Sequence, residues 1–62
     1  MNTSSSSIER PVAYVTGAAQ GIGLATATRL ARDGFRVVAM DRSAAQLHTA
    51  VAQLQTQGLD VK

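Results

Sequence analysis

The segment Thr16-Gly17-Ala18-Ala19-Gln20-Gly21-Ile22-Gly23 sets three glycines between a short apolar run and a helical repeat. Each glycine costs ordering entropy, so a turn this rich in them needs a geometric reason, such as a left-handed backbone or a close approach. Upstream, Val12, Ala13, Tyr14 and Val15 form an apolar run that stops at Thr16-Gly17. A run without alternation reads as a parallel strand covered on both faces, with Tyr14 buried in it. Pro11 stands at its first position, where a missing N–H does least harm to a ladder. Downstream, Gly23, Ala27, Leu30, Ala31 and Gly34 recur at offsets of four, seven, eight and eleven, which is one face of a helix. Gly34 falls where a left-handed C-cap ends such a helix.

Phe35, Val37, Val38, Ala39 and Met40 make a second β-type run that stops at Asp41. Ser43 and Gln46 have the spacing of a reciprocal capping box, so a second helix is expected from Ser43. Leu47, Ala50, Val51 and Leu54 carry its apolar face, Gln46, Thr49, Gln53 and Thr56 fall opposite, and Gly58 ends it. Leu59 to Lys62 read as the opening of a third strand. Strands alternating with helices call for parallel pairing through crossover connections. The fold class is therefore α/β, a β-α-β-α(-β) part of a doubly wound parallel sheet.

Of 62 residues, 45% are apolar but only 3% aromatic, so the core is thin. A chain this short buries roughly 60% of its unfolded surface, which barely offsets an ordering entropy of about 1.5 kcal/mol per residue. The expected organisation is a disordered serine-rich tail over residues 1–10 and one partial domain over residues 11–62. Zero cysteines and a single histidine exclude a disulfide scaffold and a zinc cluster, and no metal site is expected. His48 falls on the outer face of the second helix. The net charge is +2, with Arg10, Arg29, Arg32, Arg36, Arg42 and Lys62 scattered, so no nucleic-acid partner is expected. Apolar runs fall far short of the ~20 residues that cross a bilayer. The N-terminal stretch also lacks the charged start and apolar centre of a secretory signal. The expectation is a cytoplasmic chain with no membrane partner.

The glycine segment carries the chemistry. The first turn of a helix has unpaired N–H groups and about half a positive charge, which together make an anion site if the backbone can approach closely. Gly17 would turn the chain sharply off the strand, Gly21 would remove bulk beside phosphates, and Gly23 would let the helix lie close to the sheet. The spacing is G-x-x-x-G-x-G, and the common G-x-G-x-x-G pattern fails because Thr26 stands where its last glycine belongs. Asp41 ends the second strand 18 positions after Gly23, close to the ~20-residue spacing at which a carboxylate meets an adenosine ribose. Asp41 would accept both ribose hydroxyls and repel a 2′-phosphate, which favours NAD over NADP. Arg42 beside it could instead pair with such a phosphate, cover an adenine face or simply be solvated.

T-G-A-A-Q-G-I-G, followed by L-A-x-x-G and a strand ending in aspartate, resembles the short-chain dehydrogenase/reductase family over Pro11 to Lys62. The resemblance implies a Rossmann sheet and places Gly17, Gln20, Gly21, Ile22, Gly23, Asp41 and Arg42 at cofactor-binding positions. Gln20 again favours NAD, since family members that use NADP often carry lysine or arginine there. The resemblance implies a parent enzyme that transfers hydride between nicotinamide and a small-molecule carbonyl or secondary alcohol, and that assembles as a dimer or tetramer. The family's serine and Tyr-x-x-x-Lys pair, in which lysine lowers the tyrosine pKa, are not identifiable here: four positions after Tyr14 stands Ala18. The 62 residues are thus expected to hold the cofactor cradle and no catalytic centre, truncated before the catalytic half. A non-catalytic dinucleotide-binding regulator on the same fold and an inactive fragment are the alternatives.

Overall fold

Two short runs of small and branched residues pair side by side in the computed structural model, which describes residues 10–62. The expected tail up to residue 9 lies outside the described residues. β1 (Val12–Thr16) and β2 (Arg36–Met40) are parallel, with Val12 opposite Arg36 and Thr16 opposite Met40. Parallel strands cannot be joined by a tight turn, and α1 (Gly21–Arg32) makes the crossover. α2 (Ala44–Thr56) follows β2 and returns the chain to the sheet at residues 60–62. There Val37 N–H donates to the Asp60 carbonyl at 2.9 Å, Lys62 N–H to the Val37 carbonyl at 2.9 Å, and Ala39 N–H to the Lys62 carbonyl at 2.7 Å. β2 is therefore the middle of the sheet, flanked by β1 and by a parallel bridge at Val61. The Gln55 side-chain amide donates to the Val61 carbonyl at 2.8 Å and anchors that return to α2.

Both helices end alike. The N–H of Phe35 donates to the Leu30 carbonyl and that of Gly34 to the Ala31 carbonyl, and Leu59 and Gly58 repeat the pattern on Leu54 and Gln55. These are Schellman closures, which bring the residue after the glycine back against the last apolar turn. Phe35 and Leu30 pack against the core that contains Leu54, as does Leu59. The core joins Val15, Val37 and Ala39 from one face of the strands to Ala27 and Ala31 of α1, Leu54 of α2 and Val61. Alanines at the α1 contact let the helix lie against the sheet, and Ala27 is 0% exposed. At the opposite end of the strands, Asp60 accepts from Arg10 and, at 3.2 Å, from the Arg36 Nε.

Within residues 10–62 one face of β1 is open, against the burial expected of Tyr14. Tyr14 is 70% exposed, and Val12 and Met40 are exposed with it. Both helices pack on the face that carries Val15, Val37 and Ala39, and among the described residues nothing covers the other face. Ala13 and Val15 point to the covered face and Val12 and Tyr14 to the open one, so the run is apolar on both faces.

The alanine contact leaves no room for growth. Ala27→Leu is expected to destabilise the full-length protein by about 1–3 kcal/mol through overpacking, read as a lower urea midpoint, whereas Ala25→Leu on the exposed face of α1 should leave the midpoint nearly unchanged.

Candidate functional site

The loop from Gly17 to Gln20 rises from the carboxyl end of β1 and is sewn to the end of β2. Ala18 N–H donates to the Met40 carbonyl at 3.0 Å, and Ala19 N–H to Asp41 Oδ2 at 3.0 Å. Both alanines are buried. Gly21 opens α1 with φ +60°, a left-handed backbone that side chains rarely adopt, and a Cβ there would meet nothing within 4 Å. Gly23 serves a different purpose. A Cβ at this position would lie 1.9 Å from the Gly17 carbonyl oxygen and 3.1 Å from that of Thr16. The close approach expected at Gly23 is thus to the end of β1 itself, and it sets the start of α1 over the strand terminus.

The two helix starts differ in a way that bears on anions. α2 is capped by Ser43, whose Oγ accepts from Gln46 N–H at 3.4 Å. α1 has Gln20 at its N-cap position, with no side-chain cap bond and no acidic residue in its first turn. Its leading amides therefore lack a side-chain acceptor, beside a glycine that leaves open space.

Asp41 is the electrostatic centre of the site. Its Oδ1 accepts from Ser43 N–H at 2.9 Å while Oδ2 holds Ala19 N–H. The Ser43 amide, followed by the Ala19 amide, draws the carboxyl below its ordinary value of 3.8; partial burial opposes this, and the Arg42 amide and guanidinium add to it. The capping box is accordingly only half formed, a correction to the reciprocal pair expected from Ser43 and Gln46. The Ser43 N–H that Gln46 would have accepted is already held by Asp41. The spacing Asp41-Arg42-Ser43 is that of an Asx turn, so this competitor was visible in the chain.

Gly17, Asp41 and Arg42 line one pocket of about 440 Å³ at the carboxyl ends of the strands, together with Thr16 and Met40, which were not among the expected cofactor-binding residues. Gln20 lies apart from them. It borders a second groove of about 420 Å³ with Gln46, Thr49 and Gln53 of α2. Gly21 and Ile22 form the exposed lip of α1, Ile22 being 86% exposed, and Gly23 sits beneath them. His48 is exposed on α2. No helix among the described residues is long and apolar enough to cross a membrane.

Comparison with known proteins bears on the family and the fold. The sequence model of a family described as short chain dehydrogenase matches residues 11–62. The chain is 52% identical over 50 residues to the human dehydrogenase/reductase SDR family member 2, mitochondrial, covering 81% of this chain and 18% of that protein. Among solved structures it is similar to gox2181, with a TM-score of 0.82 and 46% identity over 87% of this chain and 21% of that one. A variant actinorhodin polyketide ketoreductase solved with NADPH gives a TM-score of 0.81 and 40% identity over 86% of this chain and 20% of that one. The chain thus spans about a fifth of the length of the relatives it matches.

Two outcomes test the site's construction. Gly23→Ala should disorder the loop, because the atom it meets is backbone and cannot swing aside; the loss of Ala18 and Ala19 amide protection would register it. The second concerns acid. Since the folded pKa of Asp41 lies below 3.8, the stabilisation it provides is fully present above that value and is lost as pH falls through the folded pKa. Asp41→Asn should remove this part of the acid slope in urea midpoints measured against pH.

Proposed function

The chain belongs to the short-chain dehydrogenase family, and on that premise we propose that it is the NAD-binding segment of an oxidoreductase acting on a carbonyl or secondary alcohol of a small molecule. The observation that carries this reading is a single juxtaposition: an uncapped helix start with a glycine cradle, and a carboxylate that lines a pocket with the loop's first glycine. The residues fit the group. A Cβ at Gly17 or Gly21 would enter open space, so the glycines leave free volume where a diphosphate would lie. A carboxylate offers about four lone-pair sites, so Asp41 keeps acceptors for ribose hydroxyls after receiving Ala19 and Ser43.

When bound, the dinucleotide supplies the hydride chemistry at nicotinamide C4. The chain's own residues bind and orient it. The amides of Gly21, Ile22 and Gly23 would donate to the diphosphate, Gly17 would leave it room, and Asp41 would accept from the adenosine ribose. That a similar ketoreductase was solved with NADPH makes the choice of cofactor a matter for this chain's own groups. A carboxylate that stays ionised would face a 2′-phosphate as a like charge. Arg42 covers the adenine side of the pocket on this reading. Substrate recognition, proton transfer by a tyrosine, and assembly into dimers or tetramers fall to the remainder of a protein of its relatives' length.

Titration of the full-length protein with both dinucleotides tests the assignment. Asp41→Ala should weaken NAD binding and raise the affinity of NADP relative to NAD by about tenfold or more, the equivalent of one like-charge contact removed. An unchanged ratio would sink the preference for NAD.

A further inference from the structure

Asp41 does something in this structure that recognition of a ribose does not require. Two consecutive loop amides end on two consecutive residues of the β2 terminus: Ala18 on the Met40 carbonyl at 3.0 Å and Ala19 on the Asp41 carboxylate at 3.0 Å. The other carboxylate oxygen holds Ser43 N–H at 2.9 Å, at the turn into α2. Ala19 is 8% exposed, and a buried amide must find an acceptor. Here that acceptor is a side chain 22 positions further along the chain. One carboxylate therefore joins the loop, the end of β2 and the start of α2.

We propose that Asp41 is a positioning residue for the glycine loop, its carboxylate clasping Ala19 so that the anion cradle is shaped before any nucleotide arrives. This rests on the reading above that the loop receives phosphates. Its consequence separates it from ribose recognition: losing the clasp weakens binding of an anion that has no ribose. Simple electrostatics predicts the opposite sign. Removing a negative charge beside an anion site, with the loop unmoved, tightens anion binding. Asn at this position keeps one acceptor oxygen and turns a donor nitrogen toward the second amide, so only one of Ala19 and Ser43 stays satisfied. The Asx turn to Ser43 is local, and the long-range bond to Ala19 is the one expected to open.

The test uses the full-length protein without cofactor. Amide hydrogen exchange at Ala19 should quicken by about tenfold or more in Asp41→Asn, while Ala27 in α1 and Val37 in β2 keep their wild-type rates. Titration with inorganic pyrophosphate should show weaker binding to Asp41→Asn than to wild type. In the wild-type protein, a scalar coupling across the hydrogen bond between the Ala19 nitrogen and the Asp41 carboxyl carbon is expected, which keeps the question answerable should the variant fail to fold. Unchanged Ala19 exchange, absence of that coupling, or equal or tighter pyrophosphate binding in Asp41→Asn would overturn the clasp. Should wild type bind neither pyrophosphate nor NAD, the phosphate reading fails, and the exchange and coupling results alone decide the clasp.

Discussion

The start of α1 rests on the end of β1 with no atom to spare. The Gly17 carbonyl occupies the space into which any side chain at position 23 would grow, 1.9 Å from where its Cβ would stand. That contact brings the first turn of the helix over the carboxyl end of the strand, where its amides and partial positive charge are available to a ligand. Ala27 and Ala31 continue the close approach along the helix, and both are buried against the strands. Larger residues at these positions would lift α1 away from the sheet and carry its amides with it. The composition that thins the core therefore also allows the site.

The second constraint lies at β2. Its last carbonyl and the carboxylate that follows receive neighbouring loop amides, so the loop's position is set by the sheet register that puts Thr16 opposite Met40. A slip in that register would carry Asp41 away from Ala19. Fold and site are coupled through hydrogen bonds that cross between elements distant in sequence. The acid sensitivity of Asp41 follows from the same coupling, because the amides that hold the loop are also the groups that favour the ionised carboxyl.

Much of this was legible in the chain. The strand, helix and turn order followed from apolar periodicity and from Gly34 and Gly58, each of which closes a helix through local bonds three to five residues long. The apolar face of α1 was legible from Gly23 onward, and the helix itself opens at Gly21. Local signals also misled. The spacing of Ser43 and Gln46 promised a reciprocal cap, but a capping box competes with any nearby acceptor, and Asp41 was nearer. Tyr14 lies on the strand face that nothing among the described residues covers, although its run is apolar on both faces.

What the amino-acid order determined by itself is the set of local geometries: a turn that only glycines tolerate, helices with fixed ends, and a carboxylate at a strand terminus. These depend on interactions within a few residues, so periodicity and turn chemistry reveal them. Tertiary structure alone decided which strand face is covered, that Gly23 yields to the Gly17 carbonyl, and that Asp41 reaches back to Ala19. Those outcomes join residues far apart in sequence, and their partners become neighbours only when the parallel register and the packing of α1 are both in place.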